Sequence, residues 1–165
     1  MSGHRKFEVF LCAACDIFYI FIIHTVGILR RLIAKKMANK NFHSKKFDKG
    51  TRIKVEIFRD YFRESFPVFV HNPYFKEIFI YDFFAGQGVD AEGVYGTALS
   101  ILKEITQHCN AIRENGKQVY LVLNDKEEAH SLRENVKKFI VRCQQECPTD
   151  CIFEAGKNLI TEVHP

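Results

Sequence analysis

Residues 77–88, EIFIYDFFAGQG, decide the fold of this 165-residue chain. The first six residues are mostly β-formers that end in an acid, and polar and apolar positions do not alternate among them. Such a run predicts a strand buried on both faces, as in a parallel sheet covered by helices. Glycines at positions 86 and 88 follow at once, so the chain is expected to turn sharply where the strand ends.

A helix is predicted just before this strand, over residues 51–66. Its apolar residues recur with the period of one helix face, and Pro67 is expected to end the helix or to follow its end. We expect that face to be buried, and it comprises Ile53, Ile57, Phe58, Tyr61, Phe62 and Phe66.

Helices and strands continue to alternate after the glycines. Helices are predicted over residues 97–115 and 126–143, the first capped by Thr97 and followed by Gly116. Strands are predicted over residues 118–123 and 151–155. The order α-β-α-β-α-β predicts the α/β class, as a partial Rossmann-like, three-layer domain with a mostly parallel sheet.

The loop after residue 82 is the candidate binding site, because ligands in such sheets bind at the carboxyl ends of the strands. Asp82 ends the first strand and can accept hydrogen bonds from a ligand amine or from loop amides. Gly86 and Gly88 let a ligand approach the backbone. Asn124 and Asp125 end the next strand at the same edge. A tight turn without any ligand explains the glycines equally well, and neither the dinucleotide fingerprint nor the P-loop pattern is present.

Three segments resemble the three-Cys-motif partner proteins, a bacterial family with the fold of class I S-adenosylmethionine-dependent methyltransferases. The segments are TRIKVEIFRDYFRESFPVF (51–69), IFIYDFFAGQG (78–88) and YGTALSIL (95–102). The most specific element is Asp82 followed by Phe84-Ala85-Gly86-x-Gly88. The family pattern has Gly, Pro and Pro where this chain has Phe83, Gln87 and Ala98.

The resemblance implies S-adenosylmethionine as cofactor and a separate three-Cys-motif protein as partner. It also implies that the cofactor contacts the first strand end and its glycine loop, and that a residue at the second strand end pairs with the ribose. Alignment leaves Leu123, Asn124 and Asp125 as alternatives for the ribose contact, of which Asp125 is chosen. The residues predicted to bind the cofactor are therefore Asp82, Phe84, Ala85, Gly86, Gly88 and Asp125.

Two functions are compatible with these observations. The first is an S-adenosylmethionine-binding, methyltransferase-like domain over residues 51–165, which holds about three of the roughly seven strands of that fold and is therefore expected to be a fragment or an inactive form. The alternative is a non-catalytic interaction or scaffold protein. The sequence assigns no catalytic residue and no metal ligand, and Cys143, Cys147 and Cys151 are interpreted as packing or exposed thiols.

The N-terminal part differs in character from the rest. Residues 9–29 are apolar except for Asp16 and His24, and are long enough to span a bilayer as a helix. A membrane anchor, a dispensable extension ahead of Met37 and a soluble helix remain alternatives for residues 1–36. If residues 9–29 span the membrane, the positive-inside rule keeps residues 30–165 in the cytoplasm, and otherwise the whole chain is expected to be cytoplasmic.

Charge is also unevenly distributed. The net charge is +8 over residues 1–60 and −4 over residues 61–165, and residues 30–54 contain ten Lys or Arg and one acid. A basic linker is predicted over residues 37–50. Residues 30–54 could contact nucleic acid or anionic lipid, but a solvated linker has the same composition, and a total charge of +4 does not indicate a nucleic-acid-binding protein.

Overall fold

The structure is a computed structural model that describes residues 5–11, 46–147, 151–154 and 158–165, and of residues 5–11 the backbone alone. These residues form a parallel sheet and helices packed against it, so the predicted α/β class and parallel strands are confirmed. The elements in chain order are β1 (Arg5–Leu11), α1 (Lys49–His71), β2 (Phe75–Asp82), α2 (Thr97–Thr106), α3 (Cys109–Glu114), β3 (Gln118–Asn124), α4 (Ala129–Glu146) and β4 (Leu159–His164).

The four strands are hydrogen-bonded in the order β1-β2-β3-β4, and every pair is parallel. Each connection therefore steps in the same direction across the sheet. Because parallel crossovers are right-handed, connections that step the same way place their helices on the same face. Contacts of α1 with α2 and α3, and of α2 with α4, agree with a single helix layer. The described residues thus form two layers, and the expected third layer is not among them.

The strands were expected to be buried on both faces, and this is wrong for β2 and β3. Their residues alternate, with Ile78, Ile80 and Leu121 buried beneath the helices and the residues between them only half-buried. The half-buried face of the sheet carries aromatic side chains, among them Phe79, Tyr81 and Tyr120. Phe79 stacks on its cross-strand partner Tyr120 with ring centroids 4.4 Å apart. The sequence pattern failed because aromatic residues occupy positions where polar residues usually mark the second face.

Helix α1 is longer than predicted, and its buried face is narrower. It continues through Pro67 to His71, because Val70 extends a buried column of residues spaced four apart. The column consists of Phe58, Phe62, Phe66 and Val70. Ile53, Ile57 and Tyr61, which were expected on the buried face, are exposed instead.

Other boundaries also differ from the predictions, and α4 begins and ends three residues later than the helix predicted over residues 126–143. The helix predicted over residues 97–115 is divided into α2 and α3. Its N-cap is Gly96, while the Thr97 hydroxyl bonds to a side chain of the sheet edge. The third predicted strand, residues 151–155, is wrong, because Cys151 and Ile152 are buried in a turn. The strand that pairs with β3 is instead β4, with the sequence LITEVH. As predicted, Gly116 follows the helix end in a left-handed conformation, with φ of 59°.

The predicted N-terminal segments lie largely outside the described residues. The first three residues of the apolar run 9–29 belong to strand β1, and the N-terminal helix expected over the rest falls on residues that are not described. The basic linker 37–50 overlaps α1, whose first turn is capped by the Asp48 carboxylate accepting the Thr51 amide at 2.7 Å. Among the helices in the described ranges, none has the length and apolar character needed to cross a membrane.

The amino ends of the strands are joined by a buried lysine. The Lys117 ammonium donates to the carbonyl oxygens of Asn72 and Phe75 and so links the start of β3 to the turn between α1 and β2. Only 1% of Lys117 is exposed, and burial lowers its pKa.

Replacing this lysine tests the link. Lys117→Met keeps the apolar stem but leaves both carbonyls without their charged donor, so we expect the free energy of unfolding to fall by about 1–3 kcal/mol. Urea denaturation measures the change. Lys126→Met, at an exposed position, is the control and should change stability by less than about 0.5 kcal/mol. Equal stabilities for the two variants would contradict the role given to Lys117.

Candidate functional site

The ends of β2 and β3 form the candidate site, because their in-register pairing brings two loops together. Asp82 of β2 is aligned with Leu123 of β3. Just beyond this pair, the Ala85 amide donates to the Asn124 carbonyl at 3.1 Å, and the Gly86 amide donates to the Asp125 carboxylate at 3.0 Å. All six residues predicted to bind the cofactor therefore lie at this one edge of the sheet.

Asp82 is almost completely buried and its carboxylate is used inside the protein. One oxygen accepts the Thr97 hydroxyl at 2.7 Å and the other accepts the Phe84 amide at 3.1 Å. Of the two roles considered for Asp82, the structure shows the one in which it holds the loop. Burial, with a smaller contribution from the nearby Asp125 charge, raises its pKa from 3.8 to about 6, although the two hydrogen bonds oppose this shift.

Asp125 joins the two loops at the edge. One carboxylate oxygen accepts the amides of Glu127 and Glu128, at 3.1 and 2.9 Å, in the turn before α4. The other accepts the Gly86 amide of the neighbouring loop. The adjacent Asn124 points its side-chain amide to the Pro165 carbonyl at 2.9 Å. Among the three alternatives for the second strand end, Asp125 is thus the residue whose side chain bonds to the glycine loop, whereas Asn124 bonds to it through its backbone carbonyl.

The two glycines have different environments. Gly86, with φ of 58°, has no atom within 4 Å of the position that a Cβ would occupy, so its outer side is open. Gly88, with φ of 85°, packs against Leu99 and Leu132, and a Cβ there would lie 3.1 Å from Leu132. Gly88 therefore fits the loop against the helices, whereas Gly86 leaves space that a ligand could occupy.

Exposure divides the six predicted residues into two groups. Asp82, Ala85 and Gly88 are buried, so they can shape the site but offer almost no surface to a ligand. Phe84, Gly86 and Asp125 are partly exposed and form the accessible surface of the edge. This division could not be obtained from the sequence, because it depends on how the loop packs against α2 and α4.

Sequence reasoning missed Asp90, which organises the rest of the loop. Its buried carboxylate accepts the amides of Phe47, Glu92 and Val94 at 3.0, 2.8 and 2.9 Å. Burial acts to raise the pKa of Asp90, but these hydrogen bonds and the nearby Arg52 outweigh it and lower the pKa. The signal was present, since Asp at the first and Gly at the fourth position of residues 90–93 is typical of a type I turn.

The cysteines do not form a metal site in the structure as described. Cys109 and Cys143 pack against the hydrophobic core. Burial above all, and then neighbouring thiols, raises the pKa of Cys109 to about 11. Over the described ranges, no three His, Cys, Asp or Glu side chains are placed to hold a metal ion together.

Comparison with protein-family models, curated proteins and solved structures finds no match for this chain.

The raised pKa of Asp82 predicts how stability changes with pH. A buried acid that binds its proton more tightly when folded favours the folded state below its ordinary pKa of 3.8, and this contribution is lost as the pH rises through about 6. The shift corresponds to about 3 kcal/mol. Because an unfolded Asp is already partly ionised at pH 4, the free energy of unfolding should fall by about 2 kcal/mol more in the wild type than in Asp82→Asn between about pH 4 and about pH 7.

Urea denaturation of both proteins at the two pH values measures this difference. Glu127→Gln removes a carboxylate from an exposed position of the neighbouring loop and serves as the control for net charge. Parallel pH profiles for the wild type and Asp82→Asn would show that Asp82 does not titrate as its burial requires.

Proposed function

We propose that this chain is an S-adenosylmethionine-binding, methyltransferase-like domain that holds the cofactor at the carboxyl ends of β2 and β3. The observation that carries the proposal is the pair of carboxylates beside the open Gly86. Asp125 lies close enough for its charge to raise the pKa of Asp82, and neither carboxylate forms an ion pair with a Lys or Arg of the described chain. S-adenosylmethionine carries the positive sulfonium that such a site lacks.

Electrostatics favours a cation at this edge. A positive group close to two carboxylates stabilises their ionised forms and relieves the repulsion between them. The burial of Asp82 strengthens the effect, because water screens a buried charge less than an exposed one. A phosphate would be repelled from the same place. The resemblance to the three-Cys-motif partner proteins independently suggests the same cofactor.

The shape of the edge supports a small ligand. At Gly86, no other atom lies within 4 Å of the position that an added Cβ would occupy. Phe84, two residues earlier and partly exposed, could pack against the adenine ring. Asp125 is positioned by the Glu127 and Glu128 amides, so it could accept a ribose hydroxyl without rearrangement. If methyl transfer occurs, holding the sulfonium in line with an acceptor would supply most of the rate enhancement.

Isothermal titration calorimetry with S-adenosylmethionine and S-adenosylhomocysteine tests the role of charge. We expect saturable 1:1 binding, and tighter binding of S-adenosylmethionine because S-adenosylhomocysteine lacks the sulfonium charge. Asp82→Asn keeps the shape of the buried side chain but removes its charge, so it should weaken binding of S-adenosylmethionine about tenfold and reduce the preference between the two ligands. Absence of binding by a well-folded sample would overturn the proposal.

Gly86 and Gly116 provide a matched pair of substitutions. Their φ angles are 58° and 59°. At each glycine, no other atom lies within 4 Å of the position that an added Cβ would occupy. Alanine should therefore cost each site about 1 kcal/mol of stability. Only Gly86→Ala, whose methyl group would point into the cofactor space, should weaken binding of S-adenosylmethionine. Equal affinities for the two variants would place the cofactor elsewhere.

The alternative function, a non-catalytic interaction protein, is favoured by one observation on α1. Ile53, Ile57 and Val68 are 44%, 52% and 61% exposed, and the two isoleucines lie one turn apart. Large apolar side chains at this spacing are typical of a surface that packs against another protein. The resemblance suggests a three-Cys-motif protein as that partner. Loss of its binding on Ile57→Lys, in a chain that does not bind S-adenosylmethionine, would support this alternative.

A further inference from the structure

A basic groove lies on the helix layer. It has a volume of about 700 Å³ and is bounded by α1, α2, α4 and the loop that contains Tyr95. Ligand sites of small molecules commonly have volumes of about 300–1,000 Å³. The acids of the proposed cofactor edge, Asp82 and Asp125, do not line it, although the loop that follows β2 borders both places.

Positive charge dominates the groove. Its lining residues include one acid, Glu56, and five Lys or Arg side chains. These five are Arg52, Arg59, Lys103, Lys138 and Arg142. Two of these are already paired, since Arg52 contacts Glu92 at 2.8 Å and Arg59 contacts Asp60 at 3.0 Å.

The other three cations form no ion pair within the described ranges of the chain. Lys103 lies on α2, and Lys138 and Arg142 lie one turn apart on α4. Like charges at this spacing repel each other and destabilise a helix. A multivalent anion between α2 and α4 would remove this repulsion and supply the missing partners.

Aromatic side chains also line the groove. Tyr95 and Phe139 pack edge to face with ring centroids 6.0 Å apart. Tyr95 is only half-buried, so part of its ring remains available to a ligand. A ligand that carries a planar base as well as phosphates could therefore use both the cations and the aromatic wall.

We propose that this groove binds a small ligand with two or more phosphate groups, such as a free polyphosphate or a nucleoside polyphosphate. The three cations that form no ion pair in the described ranges supply positive charge for the phosphates, and the groove has the size of a small-molecule site. A long nucleic acid fits less well, because the groove has the volume of a small-molecule site and residues 61–165 as a whole carry a net charge of −4.

Calorimetric titration with inorganic tripolyphosphate and with a nucleoside triphosphate tests the proposal. Saturable 1:1 binding that weakens as sodium chloride is added is the expected result for both probes. Tighter binding of the nucleoside triphosphate would identify the aromatic wall as part of the site, and equal binding would assign recognition to the phosphates alone. Binding of a single-stranded oligonucleotide without binding of tripolyphosphate would overturn the proposal.

Two double variants with the same change of charge give the matched comparison. Lys138→Gln with Arg142→Gln removes two groove cations and should weaken binding of tripolyphosphate about tenfold or more. Lys126→Gln with Lys137→Gln removes two exposed cations that do not line the groove, and it should change the affinity by less than about twofold. All four positions are exposed, so both proteins should fold, and thermal unfolding checks this. Equal weakening in the two variants would contradict a specific site.

Binding measurements on Asp82→Asn distinguish the groove from the proposed cofactor site at the strand ends. The variant should leave tripolyphosphate binding unchanged, because Asp82 is not among the residues that line the groove. Weaker S-adenosylmethionine binding with unchanged tripolyphosphate binding would show two independent sites. Loss of tripolyphosphate binding in this variant, with the fold intact, would contradict the groove as the place where the anion binds.

Discussion

Parallel, in-register pairing of β2 with β3 is the constraint on which the candidate site depends. The pairing aligns Asp82 with Leu123, so the residues that follow the two strands meet at one edge. Asp125 can then reach the Gly86 amide of the neighbouring loop. A shift of one residue in register would exchange the buried and half-buried faces of a strand and separate these groups. The hydrophobic contacts that fix the register therefore also determine the geometry of the site.

In the described sheet, each strand lies beside the one that precedes it in the chain, always on the same side, and this topology differs from that of a doubly wound sheet. In doubly wound sheets the strand order reverses, and ligands bind in the crevice at that point. The described strands contain no such reversal, since their order is β1-β2-β3-β4. The edge formed by β2 and β3 therefore relies on its loops and carboxylates to define a site, whereas the helix layer on one face forms a second recess with positive charge.

Sequence reasoning predicted the parts of the fold that local patterns determine. The α/β class, the strands β2 and β3 and the position of Gly116 follow from apolar runs and turn residues. The continuation of α1 through Pro67 could not be predicted from a local pattern. Burial of Val70 by tertiary packing outweighs the local preference to end the helix at the proline. The predicted site residues were brought to one edge, but their burial could not be foreseen, since Asp82 and Gly88 face helices that lie farther along the chain.

The stacked aromatic face of the sheet gives the protein a built-in spectroscopic reporter. The chain has no Trp and six Tyr, so tyrosine dominates its ultraviolet emission. Tyr81 and Tyr120 belong to one column, in which Phe79 lies between their rings, with centroids 6.3 and 4.4 Å away. Rings held in fixed, chiral surroundings also give near-ultraviolet circular dichroism. Its loss would therefore report loss of the packing around the tyrosines, Tyr81 and Tyr120 among them, without any introduced label.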